Sequence, residues 1–131
     1  AELIAECHRR NIGVMSYGSL AGGLLTGKFK QKPTFGEKDD RSIFYKYFTD
    51  PLWEKSSSFV HELLEIARQK EKPLAQLAIN WVIQSGIIDT ALVGAKNPHQ
   101  AELNARAADW ELSGEDIQTI NSLHKRYFST V

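Results

Sequence analysis

A glycine-rich stretch directly after an apolar run is the first part of this sequence that could bind a ligand. Residues 16–28 read SYGSLAGGLLTGK, and Lys28 adds a positive charge at the end. Backbone N–H groups without side-chain cover suit hydrogen bonding to a pyrophosphate at close range. Glycine-rich turns also occur without a ligand, and this spacing matches neither a Walker loop nor the three-glycine dinucleotide fingerprint. The residues whose backbone is a candidate phosphate cradle are Gly18, Ser19, Leu20, Ala21 and Gly22.

A predicted helix start near Asn97 is a second candidate anion site. Asn97 and Pro98 are residue types preferred at the N-cap and at the first helical position. The free N–H groups and the positive end of the helix dipole there favour an anion. Lys96 precedes the cap, and Gln100 and Asn104 lie four residues apart on one helical face. A well-capped surface helix with its polar residues in water has the same pattern.

Both candidate sites follow predicted β-strands. Residues 12–17 and 87–93 are short, nearly all apolar and bounded by turn formers, which is typical of strands buried on both faces of a parallel sheet. The order of helices and strands predicts parallel βα units, in which ligands gather at the carboxyl ends of the strands. Tyr17 ends the first strand, where its ring could stack on a ligand or simply pack.

Helical periodicity accounts for most of the remaining chain. A helix ends near Arg10, and residues 29–57 form a long excursion with at most short helices. Ser56–Ser58 could cap a helix over 59–72, and Pro73 could open a helix whose apolar stripe runs from Leu74 to Val82. Two more helices are predicted over 98–108 and from Ser113, which forms a capping box with Asp116, to Tyr127.

Composition narrows the class of protein. The 131 residues are 42% hydrophobic and 24% charged, and sixteen basic side chains balance sixteen acidic ones, so we expect a globular domain and no nucleic-acid partner. No apolar run approaches the roughly 20 residues that a membrane span needs. The lone Cys7 and the absence of a signal-peptide pattern predict a cytoplasmic location. No His or Cys spacing predicts a metal site, and we expect His8, His61, His99 and His124 to be surface or packing residues.

Two strands are too few for the fold that they imply. Each is composed as if it had neighbours on both sides and helices on both faces, whereas a closed parallel barrel needs eight strands and about 250 residues. We therefore expect residues 1–131 to be one segment of a single larger domain, with the missing part on the N-terminal side.

Two motifs make the sequence resemble the C-terminal part of an aldo-keto reductase. VMSYGSLAGGLLTGKF at 14–29 resembles the seventh strand of that family and its following loop. LVGAKNPHQAELNARAADWELSGEDI at 92–117 resembles the eighth strand, its loop, the last barrel helix and the start of a C-terminal helix. PLAQLAINWV at 73–82 fits the seventh helix. The resemblance implies an α/β fold, namely about the last two βα units of a (β/α)8 barrel plus a C-terminal helix.

The resemblance also implies NADP as cofactor and assigns residues to it. Tyr17 would stack on the nicotinamide, and Arg41, in the long excursion, would approach the cofactor phosphates in a loop that can close. Gly18-Ser19 stands where the family has Ser-Pro, and Leu103 replaces a frequent acidic residue, so position 103 is left out of the site. The resemblance places Gly94, Lys96, Gln100 and Asn104 around an adenosine with a 2′-phosphate. The complete predicted cofactor set is Tyr17, Gly18, Ser19, Leu20, Ala21, Gly22, Lys28, Arg41, Gly94, Lys96, Gln100 and Asn104.

The resemblance implies reduction of aldehydes or ketones by the parent protein. The catalytic tyrosine, aspartate, lysine and histidine of the family precede the part that this chain resembles, so no catalytic residue is predicted here and the segment alone is expected to be inactive. Two alternatives stay open: a nucleotide-sensing subunit resembling potassium-channel β-subunits, and an interaction piece that pairs its strand edges with another chain to rebuild a barrel. The expected partners are a small carbonyl substrate and possible self-association, with no membrane.

Overall fold

The computed structural model describes residues 2–84, 86 and 88–129, so Ala1, Ser85 and Ile87, which carry parts of predicted elements, lie outside the described residues. The α-helices are α1 (Glu2–Arg9), α2 (Arg41–Phe44), α3 (Leu52–Gln69), α4 (Leu74–Gln84), α5 (Pro98–Ala105) and α6 (Gly114–Phe128). The strands are β1 (Met15–Ser16) and β2 (Thr90–Ala91). The 3₁₀-helices cover Ala21–Thr26, Lys46–Phe48 and Arg106–Asp109.

The two strands pair in parallel, as predicted. Met15 lies opposite Thr90 and Ser16 opposite Ala91, and the Leu92 amide donates to the Ser16 carbonyl at 2.9 Å. The strands are shorter than the apolar runs at 12–17 and 87–93, because ladder bonds need a neighbouring strand and the described residues form a sheet of only two. The predicted α/β class is confirmed, and the sheet is incomplete.

The core lies between α3, α4 and α6. The apolar stripe predicted on α4 is buried at its first three positions, and Leu77 is 1% exposed. Leu63 and Ala67 of α3 and Ile120 of α6 pack in the same cluster. Burying a leucine contributes about 1.5–3 kcal/mol, so these three helices form the stable base of the described chain.

A row of side-chain amides on α4 binds α5 and the segment that joins α5 to α6. Gln76 donates to the Leu103 carbonyl and Asn80 to the Trp110 carbonyl, both at 2.8 Å. The Leu112 amide donates to Gln84 Oε1 at 2.9 Å. These three amides are four residues apart, which places them on one helical face. Because α5 itself has no buried residue, these polar contacts, and not apolar packing, hold this part of the chain on α4.

The predicted start of α3 is wrong. The helix begins at Leu52, not near Phe59, and Ser56 lies inside it rather than at a cap. Ser56 is 0% exposed, which indicates that its small side chain is needed for close packing of α3. The Trp53 amide already bonds the Thr49 carbonyl at 2.9 Å, so the first turn forms several residues earlier than the serine cluster suggests.

The last helix begins as predicted and is tied to α3. Ser113 and Asp116 form the capping box, with the Asp116 amide donating to Ser113 Oγ at 3.1 Å. Lys70, just after α3, makes a 2.6 Å ion pair with Asp116. Near the other end, Arg126 and Tyr127 both donate to the Glu62 carboxylate. Polar contacts to α3 and to Lys70 therefore fix both ends of α6.

Candidate functional site

The loop that follows β1 is a series of tight turns. The Ala21 amide donates to the Gly18 carbonyl at 2.7 Å and the Gly23 amide to the Leu20 carbonyl at 2.9 Å. The amide of Ala21 is therefore used inside the loop, although it belongs to the predicted phosphate cradle. Ser19 is buried, and its hydroxyl lies 3.1 Å from that of Ser16. The Ser19 hydroxyl is therefore occupied inside the protein.

Gly22 packs against an aromatic ring from the excursion. Its φ is +63°, and a Cβ atom there would lie 2.8 Å from Cδ2 of Tyr45. Both the backbone conformation and the space therefore exclude a larger residue without rearrangement. Because Arg41 is the first residue of α2 and Tyr45 directly follows that helix, this contact fixes the distance between the glycine loop and the predicted phosphate-binding arginine.

Three cations of the predicted cofactor set come from separate parts of the chain and act on one another, and two of them, Lys28 and Arg41, lie against this loop. Partial burial lowers the pKa of the Lys28 ammonium, and the positive charges of Arg41 and Lys96 lower it further. The Lys28 Nζ would lie 3.3 Å from a Cβ placed on Gly23, so the ammonium lies against the loop backbone. Arg41 Nη1 reaches the Gly22 carbonyl at 3.4 Å. Like charges gathered in this way form a natural anion site.

The loop after β2 is held by the residues predicted to bind adenosine. Asn97 caps α5 by accepting from the Gln100 amide at 2.9 Å, and Gln100 Oε1 accepts from the Lys96 amide at 2.8 Å. Asn104 Nδ2 donates to the Gly94 carbonyl at 3.3 Å. In this structure Gln100 and Asn104 therefore brace the turn that carries Lys96. Their predicted role toward adenosine stays a prediction.

Tyr17 follows the carboxyl end of β1 with its side chain in solvent. The residue is 87% exposed, so it packs little against the described residues. Burial raises the pKa of the neighbouring Tyr45 phenol, and contact with the Tyr17 hydroxyl raises it further. The Tyr17 ring is thus available to stack on a ligand at the strand end.

A cavity of about 440 Å³ lies beneath the first part of the loop. Its lining includes Tyr17, Gly18 and Ser19 together with apolar side chains of α3, α4 and α6. None of the three converging cations lines it. The cations therefore face an open surface, whereas the cavity is an apolar space inside the helical base.

Two classes of site are not found in the described part of the chain. Residues 2–84, 86 and 88–129 hold no group of three or more His, Cys, Asp or Glu side chains placed to bind a metal. Within the same residues, no helix combines the length and the apolar character needed to cross a bilayer. The four histidines lie on α1, α3, α5 and α6.

Comparison with known proteins decides the family. A sequence model of the aldo/keto reductase family matches residues 1–125. The chain belongs to the aldo/keto reductase family. It is 35% identical to aldo-keto reductase YhdN of Bacillus subtilis, over 86% of this chain and 34% of that protein. It is 30% identical to the chloroplastic pyridoxal reductase of Arabidopsis thaliana, over 88% of this chain and 29% of that protein.

A solved structure confirms the predicted fold class. A glycerol dehydrogenase from Gluconobacter oxydans is similar with a TM-score of 0.86 and 29% identity, over 98% of this chain and 38% of that one. The chain thus spans about a third of the length of the relatives it matches. Its two strands are part of an aldo/keto reductase barrel, which explains why each is composed for more neighbours than the described residues provide. The family consists of oxidoreductases that generally use NAD(P)H.

Two residues of the candidate site were missed by the sequence interpretation of this aldo/keto reductase chain. Tyr45 packs on Gly22, and Asp39 forms an ion pair with Arg41 in which Nε lies 2.8 Å from Oδ1. The Arg41 guanidinium lowers the pKa of Asp39 to about 2, so the carboxylate is ionised at neutral pH. Both residues lie in the excursion at 29–57, which has no regular period. The only available signal was the charge run that includes Asp39, Asp40 and Arg41.

Proposed function

We propose that this chain supplies the cofactor-binding part of an NADP-dependent oxidoreductase that reduces aldehydes or ketones. The observation that carries the proposal is that Lys28 and Arg41 lie against the glycine loop while Lys96 is close enough for its charge to act on Lys28. These cations come from three separate segments, and a dinucleotide with an additional 2′-phosphate is a ligand rich enough in negative charge to engage all three. Family membership supports the same reading.

The residues present fit such a dinucleotide. Tyr17 offers an exposed ring where the nicotinamide is expected, and the N-terminus of α5 with Lys96 offers donors for the 2′-phosphate. The glycine loop lies between them at the carboxyl end of β1. When bound, the nicotinamide would supply a hydride to a carbonyl carbon. In this proposal the chain's residues bind and orient the cofactor, and the proton donor comes from outside these 131 residues.

Ligand binding tests this proposal. In the protein that carries this chain, we expect NADPH and adenosine 2′,5′-bisphosphate to bind more tightly than NADH and AMP. Replacing Lys96 by alanine should lower the affinity for adenosine 2′,5′-bisphosphate about tenfold, because a charge-assisted contact to phosphate is lost. Lys125→Ala, an exposed lysine of α6, is the matched control and should leave affinity unchanged. Equal affinity for NADH and NADPH, or no binding of either, would overturn the proposal.

A second experiment separates binding from turnover. We expect the isolated 131-residue chain to show no carbonyl-dependent oxidation of NADPH, since no residue in it is assigned as proton donor. Reductase activity of the isolated chain would contradict this part of the proposal. Rapid turnover of a carbonyl by the longer protein would count against a purely nucleotide-sensing role.

The unpaired strand edges support a further role in assembly. Each described strand has one neighbouring strand. Met15, in β1, is 59% exposed, and Leu92, directly after β2, is 46% exposed. We propose that both edges pair with further parallel strands of the same barrel, because unpaired backbone and exposed apolar side chains otherwise favour association. Light scattering tests this: the isolated chain should self-associate, and a strictly monomeric species at high concentration would contradict the idea.

A further inference from the structure

Asp39 is a carboxylate placed inside a cluster of cations. Two parallel bonds join it to Arg41: Nε donates to Oδ1 at 2.8 Å and Nη2 to Oδ2 at 2.5 Å. The Arg41 backbone amide adds a contact to Oδ1 at 3.2 Å. A fork-to-fork pair of this kind fixes the orientation of the guanidinium as well as its position.

Two further contacts hold the Arg41 guanidinium. Its face lies 4.3 Å from the ring centroid of Phe35, and Nη1 contacts the Gly22 carbonyl at 3.4 Å. A guanidinium has five N–H donors. Asp39 and Gly22 engage three of them, so two remain for a ligand. The side chains of Arg41 and Asp39 are 28% and 31% exposed, so the pair is accessible from solvent.

We propose that Asp39 is a positioning residue that presents Arg41 to a phosphate group of the dinucleotide. This inference rests on the proposed NADP-binding function. A free arginine side chain populates many rotamers, and the bidentate pair removes that freedom before the ligand arrives. Asp39 also opposes the mutual repulsion of Lys28 and Arg41, since its charge acts on Lys28 in the direction opposite to theirs.

If Asp39 acted only through its negative charge, it would change phosphate affinity in the opposite direction, which makes the inference testable. A carboxylate that merely lowered the positive potential would weaken phosphate binding, so its removal would tighten binding. A positioning carboxylate strengthens binding, so its removal loosens it. The pair is partly exposed, and solvent screens the long-range charge more than it weakens two direct bonds. We therefore expect positioning to dominate.

Asp39→Asn is the test variant, and Asp40→Asn is its matched control. Asp40 is the exposed neighbour that precedes α2, and its side chain makes no cap hydrogen bond, so the control removes the same charge one residue away. In the full-length protein, Asp39→Asn should weaken adenosine 2′,5′-bisphosphate about fivefold, and Asp39→Glu should restore part of the loss. Asp40→Asn should leave affinity within twofold of the parent protein.

A ligand-free measurement isolates the positioning effect from stability and from cofactor binding. The Arg41 Nε–H signal in nitrogen-15 NMR should be slow to exchange in the parent protein and fast in Asp39→Asn, with the melting temperature little changed. Unchanged Nε–H exchange, or unchanged or tighter ligand affinity in Asp39→Asn, would overturn the inference while the parent protein still binds the ligand. If the parent protein itself fails to bind adenosine 2′,5′-bisphosphate, the proposed function and this inference fall together.

Discussion

The ring of Tyr45 occupies the space in which a side chain on Gly22 would lie. The nearest ring atom is 2.8 Å from an ideal Cβ at position 22, closer than real Cβ contacts allow. One residue comes from the loop after β1 and the other from the far side of the excursion at 29–57. Their contact therefore holds the glycine loop and the Arg41 segment in one arrangement.

Replacing Gly22 by alanine should disturb both segments. The positive φ of +63° alone costs a residue with a Cβ about 1–2 kcal/mol, and the ring of Tyr45 must also move. We expect a lower melting temperature together with weaker dinucleotide affinity. Gly114→Ala is the control, because nothing lies within 4 Å of a Cβ there. A Gly22→Ala protein with parental stability and affinity would show that the Tyr45 contact is unimportant.

Tyr17 allows the nicotinamide end of the site to be tested separately from the phosphate end. Because the residue is 87% exposed, Tyr17→Ala should leave stability nearly unchanged. It should weaken NADPH several-fold through the lost stacking, of about 1 kcal/mol, but leave adenosine 2′,5′-bisphosphate unaffected, since that ligand has no nicotinamide. Tyr17→Phe keeps the ring and should retain NADPH affinity. Equal losses for both ligands in Tyr17→Ala would argue against stacking.

Exchanging the side-chain amide of buried Asn80 for a carboxylate should lower the free energy of unfolding. Asn80 is 0% exposed and donates to the Trp110 carbonyl at 2.8 Å. Asn80→Asp replaces that donor by a carboxylate, and we expect a loss of about 3 kcal/mol at neutral pH. Burial raises the pKa of an introduced carboxyl group, so the loss should shrink as the pH falls and that group is protonated. Urea unfolding at two pH values measures both effects.

A control for Asn80→Asp is available on α6. Gln118 is exposed, and Gln118→Glu makes the same amide-to-acid change without removing a buried hydrogen bond. It should change the free energy of unfolding by less than about 0.5 kcal/mol. If the two variants lost similar stability, the amide row of α4 would not be what anchors the segment between α5 and α6.

Glu62 should make the α3–α6 pair sensitive to acid. The hydrogen bond from Tyr127, followed by that from Arg126, lowers the pKa of Glu62 from its ordinary value of 4.5. A carboxyl group whose pKa is lower in the folded state stabilises that state above its unfolded pKa, and this contribution is lost as the pH falls through the folded pKa. We therefore expect the melting temperature to fall on acidification below about 4.5, and to fall less steeply in Glu62→Gln. Glu115→Gln, on the exposed surface of α6, should keep the parental pH profile.

The motifs of the candidate site were predictable where they depend on local chemistry. Asn97 and Ser113 cap helices because their short polar side chains reach the first free amides, and both caps are observed. The convergence of Lys28 with Lys96 follows from parallel strands, whose carboxyl ends share one edge of the sheet. The family resemblance added Arg41, which no periodicity in the excursion would indicate.

Other features depend on contacts that the sequence does not reveal. Ser56 has the residue type of a cap but lies within α3, because packing against its neighbours favours a longer helix over a local side-chain hydrogen bond. Gln76 and Asn80 have the residue types of a solvated face, yet they are buried and bond α5 and the segment that follows it. Asp39 is distinguished by its paired bonds to Arg41. These bonds depend on how the loop folds, which no sequence pattern indicates.

The pairing of β1 with β2 sets the spacing between the two loops that are proposed to bind the ligand. The glycine loop leaves β1 directly after Ser16, and the Lys96 turn leaves β2 shortly after Ala91, so their separation depends on which residues of the two strands stand opposite each other. A shift of two residues would move one wall of the site by about 6.6 Å along the other. A deletion or insertion between α4 and β2 that shifted this pairing would therefore change the length of dinucleotide that the site can span, without altering any residue that contacts it.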